Sequence, residues 1–174
     1  MKILNLKSKI LNQKRGFVFL EILVSVALIS VVFITLLGIG ALALNTSFDI
    51  QKRTQVDSLV KEEIEAVRAF MDSTATTWGT NGLGSVNTGS GSPYYLVLDS
   101  STPPKWTLQA GTETIGVFTR KVIFDKVSRN PTTKEIESTY NAANDDPDTR
   151  KVTVNVVWKG TTYQVVTYFT NWQK

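Results

Sequence analysis

"KRGFVFLEILVSVALISVVFITLLGIGALAL", residues 14–44, decides what kind of chain this is. From Phe17 to Leu44, 28 residues are apolar or small, apart from one carboxylate, Glu21, four positions into the run. A helix rises about 1.5 Å per residue and crosses the hydrocarbon of a bilayer in about 20 residues, so the run is long enough to span. A charged group placed there costs about 2.5 to 3.5 kcal/mol even on lenient insertion scales. Glu21 is therefore read as a functional residue that needs a partner.

Outward from this run, charge is unevenly spread over the 174 residues. The net charge is +4, but Lys2, Lys7, Lys9, Lys14 and Arg15 all precede Phe17 and no acid accompanies them. Without these five, 14 basic residues face 15 acidic ones, so direct nucleic-acid binding is not expected. Positive charge ahead of an apolar span holds that end in the cytoplasm and sends the C-terminal region outside. There is no cysteine and no histidine. A disulfide framework, a thiolate nucleophile, the commonest general base and the commonest transition-metal ligand are all missing, and neither an enzyme nor a cofactor is expected.

Four regions separate by composition: the basic leader 1–16, the apolar span 17–44, an amphipathic stretch 45–72 and a β-rich region 73–174. In the third, Val56, Leu59, Val60, Ile64, Val67 and Met71 recur at helical spacing, and no proline or glycine interrupts 41–78. One helix from about Phe17 to about Met71 is predicted. "DSTATTWGTNGLGSVNTGSGSP", with five of the 11 glycines, reads as a long flexible loop. Beyond it the period becomes two, and strands are predicted over Tyr94 to Leu98, Val117 to Val127, Lys151 to Trp158 and Thr162 to Thr170. The last two flank "KGT" as a hairpin, with Val152, Val154, Val156 and Trp158 on one face. "NAANDDPDTR" reads as an acidic turn between strands. The fold class is α+β: a long N-terminal helix, half membrane-grade and half amphipathic, whose stripe packs on a C-terminal antiparallel sheet.

Together, "KRG", "FVFLE" and the apolar run resemble the N-terminal signal of type IV prepilins and pseudopilins: a basic leader ending in glycine, an aromatic residue after the cut, and a glutamate shortly beyond. The resemblance implies a pilin-like fold, cleavage between Gly16 and Phe17 by a prepilin peptidase, N-methylation of Phe17 by the same enzyme, and an assembly role for Glu21. It implies other pilin or pseudopilin subunits and an inner-membrane assembly platform as partners. The mature chain would move from the cytoplasmic membrane into a filament at the cell surface or in the periplasm. "LVKEEIEAVRAFMD" and the "KVTVNVVWKGTTYQVVTYFTNW" tail are similar to the same family. Valine and phenylalanine follow Phe17 where threonine and leucine are common, the leader is longer than many, and no cysteine pair staples the C-terminal region.

Plainer readings stand beside these. The run could be a signal anchor, or a signal sequence cut near Ala41–Ala43, with Glu21 snorkelling to the membrane edge. That alternative is a single-pass anchored β-domain that binds a ligand and does not polymerise. Gly38 and Gly40 locally weaken the helix or are the small residues common in membrane helices. Asp145, Asp146 and Asp148 invite calcium, although a solvated acidic loop explains them without EF-hand spacing. The four tryptophans and the tyrosines Tyr94, Tyr95, Tyr163 and Tyr168 are read mainly as core and strand residues rather than a sugar-binding surface. Lys52, Arg53 and Lys61, interleaved with Asp57, Glu62, Glu63 and Glu65, are read as a mixed solvated face.

Overall fold

The computed structural model describes residues 3–73 and 77–172, with side chains from Phe17 onward. Lys2 and residues 74–76 of the glycine-rich loop lie outside what is described, as do the side chains of Lys7, Lys9, Lys14 and Arg15. Helix α1 spans Ile3–Asp72, starting earlier than the predicted Phe17. The leader is rich in leucine, isoleucine and lysine and lacks proline, and Gly16 is the residue most opposed to helix there, by about 1 kcal/mol. The chain divides into two compact units, Met1–Gln51 and Lys52–Lys174.

In the first unit every side chain from Phe17 to Ile50 is exposed, including Phe17, Leu28, Leu37, Leu42, Phe48 and Ile50. Three of its hydroxyls are satisfied inside the helix: Ser30 Oγ donates to the Val26 carbonyl at 2.8 Å, Thr35 Oγ1 to Val32 at 2.8 Å and Thr46 Oγ1 to Leu42 at 2.9 Å. Apart from Glu21, Ser25 and the polar residues from Asn45 to Asp49, what remains on the surface is hydrocarbon, as a lipid environment requires. This helix is long and apolar enough to cross a membrane, with a mean hydropathy of 2.9 over its most apolar stretch.

The second unit packs the helix end against one antiparallel sheet. The strands are β1 Tyr94–Asp99, β2 Lys105–Ala110, β3 Glu113–Ile115, β4 Phe118–Ser128, β5 Asp145–Trp158 and β6 Thr161–Thr170. Their order is β2-β1-β4-β5-β6, with β3 pairing the start of β4. Opposite one another across the β4–β5 ladder stand Arg120 and Val156, Val122 and Val154, and Phe124 and Val152. Because strand side chains alternate, this set shares one face. It is buried against Val56, Val60, Ala66, Val67 and Phe70 of the helix. Leu59, Ile64 and Met71, expected in the stripe, flank it half-buried.

The β5–β6 hairpin closes through Lys159 and Gly160, both at positive φ, 48° and 75°. That is the two-residue turn whose twist suits a hairpin, and glycine meets its demand without cost. Two predicted stretches differ in the structure. Asp145–Arg150, read as a turn, is strand: Asp145 pairs Ser128 and Asp146 pairs Val127. The ladder then shifts between Lys126 and Val127, and Pro147, which lacks an N–H, sits in that interruption. The glycine-rich segment is a loop but is tied down. Leu83 is buried, Trp78 Nε1 donates to the Pro147 carbonyl at 2.8 Å, and the Gly89 N–H donates to Phe124 at 2.8 Å. Gly84 must be glycine here, since a Cβ would stand 2.6 Å from the Trp78 ring.

A fragment starting at Asn45 is expected to fold alone as a mixed helix and strand domain, visible by circular dichroism. Within it Phe124→Ala should lower stability by about 3 to 5 kcal/mol in urea unfolding, and the half-buried Ile64→Ala by less.

Candidate functional site

Two features stand out, a buried cluster of charged residues and a single carboxylate on the apolar helix. The buried set begins with Glu63, which falls in phase with the stripe Val56, Val60, Val67 and Phe70 and is fully enclosed. It was expected on the solvated face with Glu62 and Glu65, and those two are indeed exposed. On the sheet, Arg120 alternates in phase with Phe118, Val122 and Phe124, so it points into the same layer and is 3% exposed.

The backbone N–H of Leu96 on β1 donates to Glu63 Oε1 at 3.0 Å. Arg120 Nε lies 3.1 Å from Glu63 Oε2, but its hydrogen is directed to Glu113 Oε2 at 2.6 Å. Arg120 Nη1 reaches Glu62 Oε1 at 3.2 Å. One guanidinium therefore serves three carboxylates, and Glu63 Oε2 is left in ion-pair contact without a hydrogen bond among the described residues. Burial pushes the Glu63 carboxyl up to about 7, against the lowering pull of Arg120 and of the Leu96 N–H, with Glu113 and Glu62 adding to the rise. The cluster joins α1, β1, β3 and β4 and fixes the helix's rotation on the sheet, because a one-residue slip would bury a different set.

On the apolar helix, Gly16, Phe17 and Glu21 all lie within α1. Phe17 is 75% exposed and Glu21 is exposed as well. Among the described residues no ion pair engages Glu21, so its carboxylate is available to a group outside this chain.

Asp145, Asp146 and Asp148 are not brought together. Asp145 Oδ1 accepts from the Tyr140 hydroxyl at 3.0 Å. Asp146 pairs with Arg129 and also accepts the Asp148 N–H at 3.1 Å. Asp148 Oδ1 stands 3.5 Å from Asn171 Nδ2. Among the described residues no group of acidic side chains is gathered that could hold a metal ion. The Asp146 carboxyl titrates below the usual range: its hydrogen bonds from Thr149, Arg129 and Asp148 outweigh its partial burial. Of the aromatic residues, Trp158 is buried, Trp78, Trp106, Tyr94 and Tyr163 are half-buried against the core, and Trp172 and Tyr168 are exposed. An open cleft of about 360 Å³ is lined by Asp125, Lys151, Glu137, Tyr140 and Tyr168. It can offer hydrogen bonds and aromatic faces to a polar ligand. Comparison with known protein families, with curated proteins and with solved structures finds no match to this chain.

Glu63 gives a test of the buried cluster. Its folded value, about 7, lies above the ordinary value of 4.5, so the native state holds the proton more tightly. The stability it contributes is fully present below about pH 4.5 and is lost as pH rises through about 7, a decline of roughly 3 kcal/mol. Glu63→Gln should remove that slope, so the variant gains on the wild type between pH 5 and pH 8 in urea unfolding.

Proposed function

We propose that this chain is a structural subunit, a minor pilin or pseudopilin, of a type IV pilus-like filament. The reading is carried by "KRGFVFLE", residues 14–21: basic residues, a glycine, an aromatic residue and a glutamate heading a 28-residue apolar run. The exposure of that whole run, with no ion pair to Glu21 among the described residues, is what a helix intended for lipid and then for other helices requires.

The chemistry follows from cleavage. Cutting after Gly16 creates an α-ammonium at Phe17, in the same apolar layer as Glu21. When helices stack with an axial offset, the carboxylate of one subunit meets the ammonium of another and both charges are neutralised. Breaking such a pair costs about 3 to 5 kcal/mol, so the pair selects the register of assembly. The protein is thus a substrate of the peptidase that also methylates Phe17, and a building part of the filament. The pilin-like arrangement of helix and sheet, the inner-membrane origin and the assembly platform belong to this proposal.

Gly16→Val should leave the leader attached, which intact-mass measurement of the membrane-bound protein reads directly. A normal mature mass in that variant would overturn the cleavage site. Glu21→Gln should be inserted and cleaved like the wild type yet be depleted from sheared filaments relative to membranes, in cells carrying the whole assembly system. An equal ratio for both proteins removes the ion-pair account and favours the anchored, non-polymerising reading.

A further inference from the structure

The end of the second unit that carries Lys52 has an unusual surface. The turn Gly116–Val117 between β3 and β4 presents Val117 62% exposed, although turn tips are ordinarily polar. Beside it, Leu59, Ile115 and Phe118 with Lys52, Gln55 and Ser58 line an apolar groove of about 440 Å³. Because Phe118 and Trp158 end adjacent antiparallel strands, the Lys159–Gly160 turn emerges at the same end, and the two rings lie 6.4 Å apart. Lys52 Nζ sits 5.7 Å over the Phe118 ring and Lys159 Nζ 4.8 Å over Trp158.

This surface therefore combines an apolar tip, two aromatic rings and two lysines. The groove lining includes no acid. The nearby carboxylates of Glu62 and Glu113 are turned to Arg120. Chain continuity supplies the second argument. The exposed apolar surface of α1 does not stop at Leu44 but continues through Phe48 and Ile50, two residues before Lys52. Aromatic residues and lysines beside hydrocarbon are the composition of a membrane–water interface, where ring bodies sit at headgroup level and lysines meet anionic lipid.

We propose that the hairpin-tip surface formed by Lys52, Leu59, Ile115, Val117 and Lys159 rests on the anionic lipid headgroups of the bilayer that the N-terminal helix crosses. This rests on that helix lying in a membrane. Before assembly, such contact holds the folded unit down on the membrane and keeps the apolar groove out of water.

The chain has no cysteine, so a single introduced one can be labelled cleanly. The full-length protein is reconstituted in vesicles of phosphatidylcholine, with or without about one-third phosphatidylglycerol. An environment-sensitive fluorophore is placed at Val117→Cys, at Gln55→Cys as a second groove position, at Thr132→Cys beyond the far end of β4, and at Leu36→Cys in the apolar run. Quenching by lipids spin-labelled near the headgroup is then measured. The expected result is strong quenching at 117 and 55 in the anionic vesicles, little at 132, and quenching at 36 by deep labels. Lys159→Glu should shift the 117 signal toward that at 132, by about fivefold or more in the docked-to-undocked ratio. If 36 is deep while 117 and 55 behave like 132, the docking is overturned and the membrane helix stands. Quenching absent at 36 overturns the membrane reading and the docking with it. Shielding at 117 that follows protein density and ignores the lipid labels assigns the groove to a second copy of the chain and overturns the proposal.

Discussion

A single guanidinium shared by three glutamates sits where the helix meets the sheet, inside an otherwise apolar layer. Valines on both sides can slide over one another at little cost, because they are alike in volume and make no directional contact. Glu63 and Arg120 cannot. Moving the helix by one residue along or around its axis would take a buried carboxylate away from the Arg120 guanidinium and from the Leu96 N–H, leaving it unpartnered in hydrocarbon. The valine layer supplies most of the burial, and the ionic cluster selects one way of using it. Its acidity is then a property of the fold: a carboxyl held near neutrality links helix docking to pH in a part of the protein that touches no solvent.

The two halves of the long helix obey different rules, and the sequence displays the difference. From Phe17 to Leu44 the side chains are, Glu21 apart, almost all outward-facing hydrocarbon, and from Lys52 onward a stripe alternates with charge. Periodicity reads both because burial in the second half depends on position while the first half is apolar all round. β4 was legible because its burial alternates from Phe118 to Phe124, and β5 and β6 because they are rich in β-branched and aromatic residues on either side of a short turn.

Other parts were harder to read for identifiable reasons. β2 alternates Trp106 and Leu108 but follows two prolines, and β3 is only three residues long, so neither makes a run. Asp145–Arg150 has the composition of a turn, and it pairs as strand because a ladder interruption houses Pro147. Loop anchoring through Trp78, Gly84 and Arg150 depends on partners 66 to 69 residues away, and no local pattern encodes that. The inward charge of Glu63 was visible in principle: positions 56, 60, 63, 67 and 70 keep one helical phase. Its charge suggests the solvated face, but its helical phase places it inward. The features that bear on the proposed filament, Gly16, Phe17 and Glu21, come from the sequence itself, since a partner for Glu21 would belong to another molecule.

The sheet also ends in a way that affects handling of the protein. Among the described residues β6 has one strand neighbour, β5, and its ten residues "TTYQVVTYFT" include no charged residue and no proline, with Val165, Val166 and Tyr168 exposed. Most proteins blunt such a border with lysine, proline or a bulge, because a row of open N–H and C=O groups recruits any extended chain. Here the border is bare. Within the folded unit this strand is accordingly a place where an extended chain can add, independently of how firmly the core is packed. A single lysine at an outward position such as Val166 would discourage lateral stacking while leaving the interior untouched.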